Sequence, residues 1–504
     1  MENISSTSVS VKSLPKGYIP QNQRKKILLL CDDLRMHSGI ATMAREFVLG
    51  TAHIFNWAQI AGSVQHPEKG KIFNLDSATN EHAGISDGYT RLYPVDGYGN
   101  PDILKQIMSM EKPDAILHFT DPRFWGWLYQ IEREIRQICP IGYYSIWDDV
   151  PYPMYNRAFY ESCDWIGCIS KQTKNIVENV LGSNLNKTTT VTYVPHGINT
   201  NTFKPLTSVE DLKKLAELKK QLFKKDYNYV IFYNNRNIRR KQTSTIMLAY
   251  RNFCENLTKE EASKVVLFMH TNAVDENGTD LLACKEAFCP DNDVVFSEAK
   301  IMPDVLNQYY NIADVTINLS DNEGFGLGTA ESVAAGTPII VTVTGGLQDQ
   351  CGFTDENGNP VEFNSGWGSN HDGRYKNHGK WVTPVYPGAR MVQGSIPTPY
   401  ILADYARWED AAEAMMYWYA IGGEKREECG LIGRNWLSNE GNLNSGYMCD
   451  TMASGLTNMI SNWKGREAFN IHRHDEFVGH KMPNKQLGFI LPKIDRDKVI
   501  KKFN

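Results

Sequence analysis

Two glutamates enclose the glycine-rich stretch Glu323-Gly324-Phe325-Gly326-Leu327-Gly328-Thr329-Ala330-Glu331. A strand pattern over residues 313–320 precedes this stretch, and a helix pattern that ends near Gly336 follows it. The glycines therefore lie where a strand passes into a helix, and the free N–H groups and dipole of a helix start attract phosphate. Carboxylates repel phosphate, so we expect the two glutamates to bind hydroxyl groups. Phosphate beside hydroxyls indicates a nucleotide-sugar, whereas the alternative is a glycine-rich turn with two solvated glutamates.

Length and composition limit the class of protein. The chain has 504 residues, 41% of them hydrophobic, which is enough for two or three domains with full cores. Its net charge of −5 provides no general basic field for nucleic acid or anionic membranes. No apolar run reaches the ~18 residues of a transmembrane helix, and the polar start of the chain is not a signal peptide. Ten scattered cysteines without a Cys-x-x-Cys pair predict reduced, buried thiols and a cytoplasmic protein.

Strand and helix patterns alternate through both halves of the chain. The apolar run 26–31 is typical of a parallel strand that is buried on both faces. Helix patterns lie between the strands of the first half, for example over 123–138 and 171–181. This alternation predicts an α/β fold with doubly wound parallel sheets. The further strand patterns lie at 54–61, 115–119, 141–147, 165–170 and 190–194 in the first half, and at 229–233, 265–270, 294–296, 315–319 and 339–343 in the second.

Acidic side chains follow two predicted strands of the first half. Asp121 comes two residues after the strand 115–119, and the pair Asp148 and Asp149 comes directly after the strand 141–147. Open parallel sheets bind ligands at the carboxyl ends of their strands, so these residues are candidates for binding acceptor hydroxyls, and the aspartate pair could alternatively hold a metal. An Asp-Asp pair just before a proline is also typical of an ordinary turn.

Four spaced motifs within residues 26–465 resemble those of the retaining glycosyltransferases of family four, the glycosyl transferases group 1. The Glu-x7-Glu stretch is the most specific of them, and their order adds to its weight. The resemblance implies the GT-B fold, in which two Rossmann-like domains face a central cleft. We therefore expect a flexible tail over 1–25, an acceptor domain over 26–205, a donor domain over 206–440 with an insertion at 352–400, and a C-terminal helix and tail over 441–504 that return to the first domain.

The resemblance also implies a donor site. Glu331 would hold the ribose hydroxyls, Glu323 would contact the donor sugar, and the diphosphate would meet Arg236 and Lys241, which follow the first strand of the second half. Fixed cations suit this place because a departing diphosphate builds up negative charge. The resemblance also puts His118 beside the donor sugar. The implied catalytic residues are Glu323, Arg236, Lys241 and His118. The remaining donor-binding candidates are Gly39, Gly324, Phe325, Gly326, Leu327, Ile301 and Gly345.

Two positions depart from the family pattern. Many relatives have two histidines near the end of the strand 115–119, and the second contacts the donor sugar, but here only His118 is a histidine and Thr120 occupies the second position. Either His118 takes that role, or Thr120 and Asp121 supply it, or His118 is a core histidine. The loop before Gly39 is also poorer in glycine than the loops of relatives.

The stretch 352–400 lacks a helix pattern and mixes aromatic with charged residues. Loops of this length are usually functional or disordered, and aromatic residues argue against full disorder. We interpret it as an insertion beside the cleft that shapes acceptor binding, with Arg374 and Trp381 as candidate contacts. The alternative is a surface excursion that only stabilises its domain.

The sequence thus predicts a hexosyl- or pentosyltransferase with a nucleotide-sugar donor, retention of configuration, no bound cofactor and no catalytic metal. The acceptor is open among a glycan, a small glycoside and nucleic acid. One alternative is a viral-type transferase that glycosylates modified bases of DNA, because such enzymes share the GT-B fold. Another alternative is a nucleotide-sugar-binding protein without transferase activity. The sugar, the base and the oligomeric state do not follow from the sequence.

Overall fold

The structure, a computed structural model, describes residues 14–187, 189–363, 377–466 and 493–503. The described residues divide into two compact units. The first unit draws on Met1–Tyr144, Ser162–Ile166 and Met448–Ile471, and the second on Ser145–Glu161, Gly167–Tyr447 and His472–Asn504.

The strands run in chain order as β1 Lys25–Asp32, β2 Phe55–Ser63, β3 Phe73–Asn74, β4 Thr90–Asp96, β5 Ala115–Phe119, β6 Ile141–Ser145, β7 Trp165–Cys168, β8 Thr190–Tyr193, β9 Tyr229–Asn234, β10 Val265–His270, β11 Val294–Ser297, β12 Val315–Asn318, β13 Ile339–Thr342, β14 Val382–Val385, β15 Pro387–Ser395 and β16 Thr398–Ala406. The helices are α1 Gly39–Thr51, α2 Asp76–Ala83, α3 Pro101–Glu111, α4 Gly126–Gln130, α5 Glu132–Ile135, α6 Arg157–Glu161, α7 Lys171–Leu181, α8 Val209–Leu222, α9 Thr243–Glu255, α10 Lys259–Ala262, α11 Leu281–Phe288, α12 Pro303–Ile312, α13 Leu327–Ala334, α14 Trp408–Ala420, α15 Gly423–Asn439, α16 Ser445–Asn462 and α17 Arg496–Phe503.

The first unit is built around a parallel sheet with the strand order β3-β4-β2-β1-β5-β6. β1 pairs in parallel with both β2 and β5, and only the short β3 runs antiparallel to its neighbour β4. The continuous apolar run Ile27–Cys31 is fully buried, as expected for a strand covered on both faces. α1 begins where Ser38 accepts a hydrogen bond from the N–H of Ala41.

The second unit contains a six-stranded parallel sheet with the order β11-β10-β9-β12-β13-β14. The first strand of this sheet in chain order, β9, therefore lies in its middle. β10 and β11 follow on one side of β9, and β12, β13 and β14 follow on the other side. The strand order reverses between β9 and β12, and open α/β sheets bind ligands beyond the carboxyl ends of the strands at such a point. The loops after β9 and β12 carry Lys241 and Glu323.

The observed secondary structure differs from the sequence patterns in two stretches. Residues 123–138, predicted as one helix, form a 3-10 turn at Pro122–Trp125 followed by the short α4 and α5. Trp125, the last residue of the 3-10 turn, is fully buried. Residues 352–400 contain β14, β15 and the start of β16, and β15 and β16 form a separate antiparallel hairpin. β15 is exposed along nearly its whole length, so it shows no alternation of apolar and polar residues.

All ten cysteines are free thiols, as predicted, and nine of them are buried. Each helix that the described residues form is too short or too polar to cross a lipid bilayer.

Candidate active site

The loop after β12 leads into α13 through a glycine in the left-handed region. Gly326 has φ +88° and is the N-cap of α13, so no side chain caps the helix start. Gln350 Nε2 fixes the turn from outside by donating to the carbonyl oxygens of Phe325 at 2.7 Å and Gly326 at 2.9 Å. The N–H groups at the start of α13, which begins at Leu327, are therefore available to an anion.

A second glycine turn lies directly against the first. The N–H of Gly346 donates to the carbonyl oxygen of Glu323 at 2.8 Å. Gly345 has φ +47°, and a Cβ atom there would come 2.0 Å from the same oxygen. Only glycine satisfies both conditions, so Gly345 fixes the backbone that presents Glu323.

Glu323 and Lys241 form a buried ion pair in which Lys241 Nζ donates to Glu323 Oε2; the residues are 8% and 5% exposed. Ser320 Oγ donates to the same oxygen at 3.3 Å, and Asn318 Nδ2 lies 3.5 Å from it. Burial by itself raises the pKa of Glu323, but the charges of Lys241 and Arg240 outweigh it and hold that pKa below its usual value. Glu323 is therefore a carboxylate that accepts hydrogen bonds.

Arg240 joins this network, although it is not among the predicted site residues. Its Nη1 donates to the carbonyl oxygen of Asn322 at 2.6 Å and lies 4.0 Å from Glu323 Oε1. The side-chain amide of Asn322 in turn donates to Asp149 Oδ1 and to the carbonyl oxygen of Leu402 in β16. One side chain thus ties the Glu323 loop to an acidic pair and to the hairpin.

The structure brings Asp148 and Asp149, the predicted acceptor contacts, to the Glu323 loop. A Cβ atom on Gly324 would lie 3.9 Å from Asp148 Oδ2 and 3.2 Å from the carbonyl oxygen of Ile146. Burial raises the pKa of both carboxyls, and the charge of Asp148 raises that of Asp149 further. The pair therefore keeps a proton at a pH at which exposed aspartates are charged.

Glu331, in α13, has a different environment from Glu323. It is 7% exposed, and Tyr310 of α12 donates a hydrogen bond to its Oε2 at 2.8 Å. Asn234 Nδ2, at the end of β9, donates to the hydroxyl oxygen of Tyr310 at 2.8 Å. Burial raises the pKa of Glu331 to about 7, while the bond from Tyr310 lowers it in part. Within the part of the chain that the structure describes, no cation pairs with Glu331.

Arg236 lies apart from the ion pair of Lys241 and Glu323. Its guanidinium donates to both carboxylate oxygens of Asp275, at 3.0 Å and 3.3 Å, and its side chain is 62% exposed. The arginine is open to solvent while the Asp275 side chain is only 7% exposed, so this arginine can reach a ligand but must release a largely covered carboxylate to do so.

His118, in the first unit, is fully buried among aromatic rings. Its imidazole stacks on Tyr143 with 4.5 Å between ring centroids, and Trp125 lies 5.3 Å away. Burial lowers the pKa of His118 to about 3, so the ring is neutral at ordinary pH. These surroundings match the core histidine that the sequence left open as one alternative.

The other candidates of the first unit lie at turns and helix starts. Asp121 caps the 3-10 turn that follows β5 by accepting from the N–H of Arg123 at 2.9 Å. Gly39 is the first residue of α1 and is exposed. Between β5 and Asp121, Thr120 has φ +120°, a rare conformation for a β-branched residue.

Two further candidates lie in the second unit, and a third is not described. Trp381 is 4% exposed, stacks on Trp436 with 4.6 Å between centroids, and donates its Nε1 hydrogen to the carbonyl oxygen of Gln350. It therefore belongs to the packed interior. Ile301 is half-buried just before α12. Arg374 lies outside the described residues.

The sequence missed Arg240, Asn322 and Tyr310. Arg240 stands in a run of cations at 239–241, and the sequence does not say which of them the 3-10 turn Arg239–Lys241 directs towards Glu323. Tyr310 lies in a helix among polar and aromatic residues, and nothing in that stretch of sequence singles it out from other tyrosines. A signal existed for Asn322 alone, since it directly precedes Glu323. Among the described residues, no group of three or more His, Cys, Asp and Glu side chains could hold a metal ion.

Comparison with known proteins identifies relatives of part of the chain and of its fold. Residues 214–365 match the family glycosyl transferases group 1. A stretch of 56 residues is 45% identical to the D-inositol 3-phosphate glycosyltransferase of Thermomonospora curvata, and the match covers 11% of this chain and 13% of that protein. The matched stretch is thus a small part of that relative.

Solved structures resemble nearly the whole chain. The sucrose-phosphate synthase of Thermosynechococcus elongatus has a TM-score of 0.60 at 16% identity, with 87% of this chain and 100% of the other covered. The Anabaena protein HepE in complex with UDP and glucose has a TM-score of 0.60 at 14% identity, with 86% and 100% covered. At this identity the likeness shows the fold alone, and it confirms the predicted α/β class and GT-B fold.

Proposed function

We propose that this chain, whose residues 214–365 match the glycosyl transferases group 1, transfers a sugar from a nucleotide-sugar to an acceptor hydroxyl. The observation that carries this proposal is one arrangement in the second unit. The uncapped start of α13, the ion pair of Lys241 with Glu323, and the buried Glu331 all lie beyond the carboxyl ends of β9 and β12. HepE, whose fold this chain shares, has been solved with UDP and glucose.

We assign the donor's parts as the family resemblance implies. Glu331 accepts hydrogen bonds from the ribose hydroxyls, and Glu323 accepts them from the donor sugar. The diphosphate meets Lys241 and the N–H groups at the start of α13, where the dipole favours an anion. Arg236 leaves Asp275 to join the diphosphate, which its exposed side chain permits. Donor binding thus belongs to residues 206–440, and acceptor binding to residues 26–205.

The proposed reaction breaks the bond between the anomeric carbon and the phosphate oxygen and forms one from that carbon to the acceptor oxygen. In the front-face version, which gives retention, the departing phosphate oxygen takes the acceptor's proton. This step needs no protein base and no metal. Lys241 and the α13 start act here, because they stabilise the charge that develops on the diphosphate.

The acceptor approaches a strongly acidic surface on the donor side. Asp148 and Asp149 adjoin Gly324, and Asn322 connects Asp149 to the loop. Carboxyl groups bind hydroxyls well and repel phosphates, so this arrangement favours an acceptor rich in hydroxyl groups. It gives no support to a DNA acceptor, whose phosphates these carboxyls would repel.

Thermal unfolding with a panel of nucleoside diphosphates and nucleotide-sugars, with and without magnesium, tests the proposal. We expect one base to raise the Tm of the wild type. Glu331→Ala should reduce the affinity for that nucleotide by about 1–3 kcal/mol, because a charge-assisted hydrogen bond is lost. Lys241→Ala should reduce turnover more than binding. A wild type that binds no nucleotide, or variants with wild-type kinetics, would contradict the assigned site.

A further inference from the structure

Glu331 has two carboxylate oxygens, and a protein side chain engages one of them. Tyr310 donates its hydroxyl hydrogen to Oε2 at 2.8 Å, and among the described residues no ion pair involves this carboxylate. Without such a partner, a buried carboxylate could rotate about its last bond between several orientations. The hydroxyl of Tyr310 therefore determines where the second oxygen points.

The direction of this hydrogen bond is itself determined by Asn234. Its Nδ2 donates to the Tyr310 hydroxyl oxygen at 2.8 Å, and an amide nitrogen can only donate. The hydroxyl hydrogen of Tyr310 must then point away from Asn234 and towards Glu331. The chain Asn234, Tyr310, Glu331 thus has one polarity, which ends at the carboxylate.

The ring of Tyr310 has little freedom to move. Tyr310 is fully buried, its ring lies 5.3 Å from that of Phe232 and 6.0 Å from that of Phe203, and its carbonyl oxygen accepts a hydrogen bond from Thr337 Oγ1. Gly328 keeps the approach open, since a Cβ atom there would come 2.9 Å from the carbonyl oxygen of Asn234 and 3.3 Å from the Tyr310 hydroxyl. A fixed donor of this kind is what an oriented carboxylate requires.

We propose that Tyr310 is a positioning residue that holds Oε2 of Glu331, so that Oε1 is directed at the ribose hydroxyls and the site selects ribonucleotides over nucleotides that lack those hydroxyls. This inference rests on the proposed function of Glu331 and adds to it the source of its selectivity. Tyr310 acts through Glu331 and does not touch the reacting atoms.

The test compares two proteins, the wild type and Tyr310→Phe, and measures the binding of two ligands to each. Calorimetric titration measures the binding of a nucleoside diphosphate and of its 2′,3′-dideoxy analogue, with UDP, GDP and ADP tried and the tightest binder used. We expect the wild type to prefer the ribonucleotide by about tenfold or more, and Tyr310→Phe to weaken ribonucleotide binding by about five- to tenfold. The dideoxy analogue should bind both proteins within about twofold, because it makes no contact that the tyrosine orients.

A second variant decides the case if Tyr310→Phe does not fold. Asn234→Ala removes the bond that directs the hydroxyl, and we expect a smaller loss that is again confined to the ribonucleotide. Equal weakening of both ligands, or of neither, in a folded variant would overturn the inference while leaving the donor site in place. A wild type that binds none of the nucleotides would overturn the proposed function, and this inference would fall with it.

Discussion

Among single residues, Glu331, the proposed ribose contact, should make donor binding depend on pH. Burial raises its pKa to about 7, and the charged form accepts the ribose hydrogen bonds more strongly. Binding therefore favours the deprotonated state, and we expect nucleotide affinity to rise as the pH increases through 7. The deprotonated fraction grows about tenfold between pH 6 and pH 8, which sets the largest expected change. Calorimetric titration at both values measures it.

Glu331→Gln is the matched control for this pH dependence. The amide keeps the shape of the side chain but cannot titrate, whereas the diphosphate titrates identically with both proteins. The slope of affinity against pH should therefore be steeper for the wild type than for the variant. Equal slopes would show that the carboxyl does not change its charge on binding.

His118 makes the stability of the fold depend on pH, and this contribution also grows as the pH rises. Its folded-state pKa of about 3 lies below that of an unfolded histidine, so its contribution is full above about pH 6.5 and is lost as the pH falls towards 3. From pH 7 to pH 5 the loss is about 2 kcal/mol. His118→Phe should not show it, and urea unfolding at both pH values measures the difference between the two proteins. If the wild type and the variant lose equal stability, the buried neutral histidine is not the cause.

Among the structural elements, the contact between the two glycine turns gives a sharp prediction. Gly345→Ala places a Cβ atom 2.0 Å from the carbonyl oxygen of Glu323, in a backbone with φ +47°. Neither backbone can yield without moving Glu323, so we expect a loss of about 3 kcal/mol or more in unfolding free energy and weaker nucleotide binding.

Gly358→Ala is the matched control for this contact. Gly358 also has a positive φ, +82°, but a Cβ atom there meets nothing within 4 Å. It should cost only the backbone term of about 1–2 kcal/mol and leave nucleotide binding unchanged. Similar losses in both variants would mean that the turn at Gly345 is not pressed on Glu323.

The hairpin of β15 and β16 has a buried, hydrogen-bonded part in β16 and an exposed turn. Leu402, midway along β16, is 6% exposed. Its N–H donates to the carbonyl oxygen of Val150 at 2.8 Å, and its own carbonyl oxygen accepts from Asn322. Ile396 in the turn is fully exposed. Chemical denaturation should show that Leu402→Ala lowers the free energy of unfolding by about 2–4 kcal/mol and Ile396→Ala by less than about 0.5 kcal/mol. A larger loss for Ile396→Ala than for Leu402→Ala would contradict this prediction.

The sequence predicts the features that require particular residue types, namely buried strands and turns that only glycine can form. Buried parallel strands such as β1 and β9 read as apolar runs, and the glycines around Phe325 mark a turn that only glycine can make. The hairpin gave no such signal, because β15 is exposed on both faces. The bond between Tyr310 and Glu331 joins two helices that meet only in the folded chain. The roles of the donor-site residues remain predictions.

For the whole molecule, the distribution of charge decides between acceptor classes. The net charge is −5, and both cations beside Glu323, Arg240 and Lys241, lie close to its carboxylate. The four basic residues of the described C-terminal helix, Arg496, Lys498, Lys501 and Lys502, are too few to form an extended phosphate-binding surface. A molecule of this kind should recognise its acceptor through hydroxyl groups rather than through a charged backbone.

We therefore expect no specific affinity for duplex DNA. Binding of a labelled duplex, measured by fluorescence anisotropy between 50 and 200 mM salt, should be weaker than about 10⁻⁴ M near physiological salt. A polymer-modifying enzyme would behave differently, because each phosphate that it neutralises releases a counterion. A plot of log K against log salt with a slope of about −5 or steeper would mean five or more phosphate contacts and would restore DNA as the acceptor. A flat plot with weak binding, together with turnover on a neutral glycan or glycoside, would agree with the acidic surroundings of Glu323.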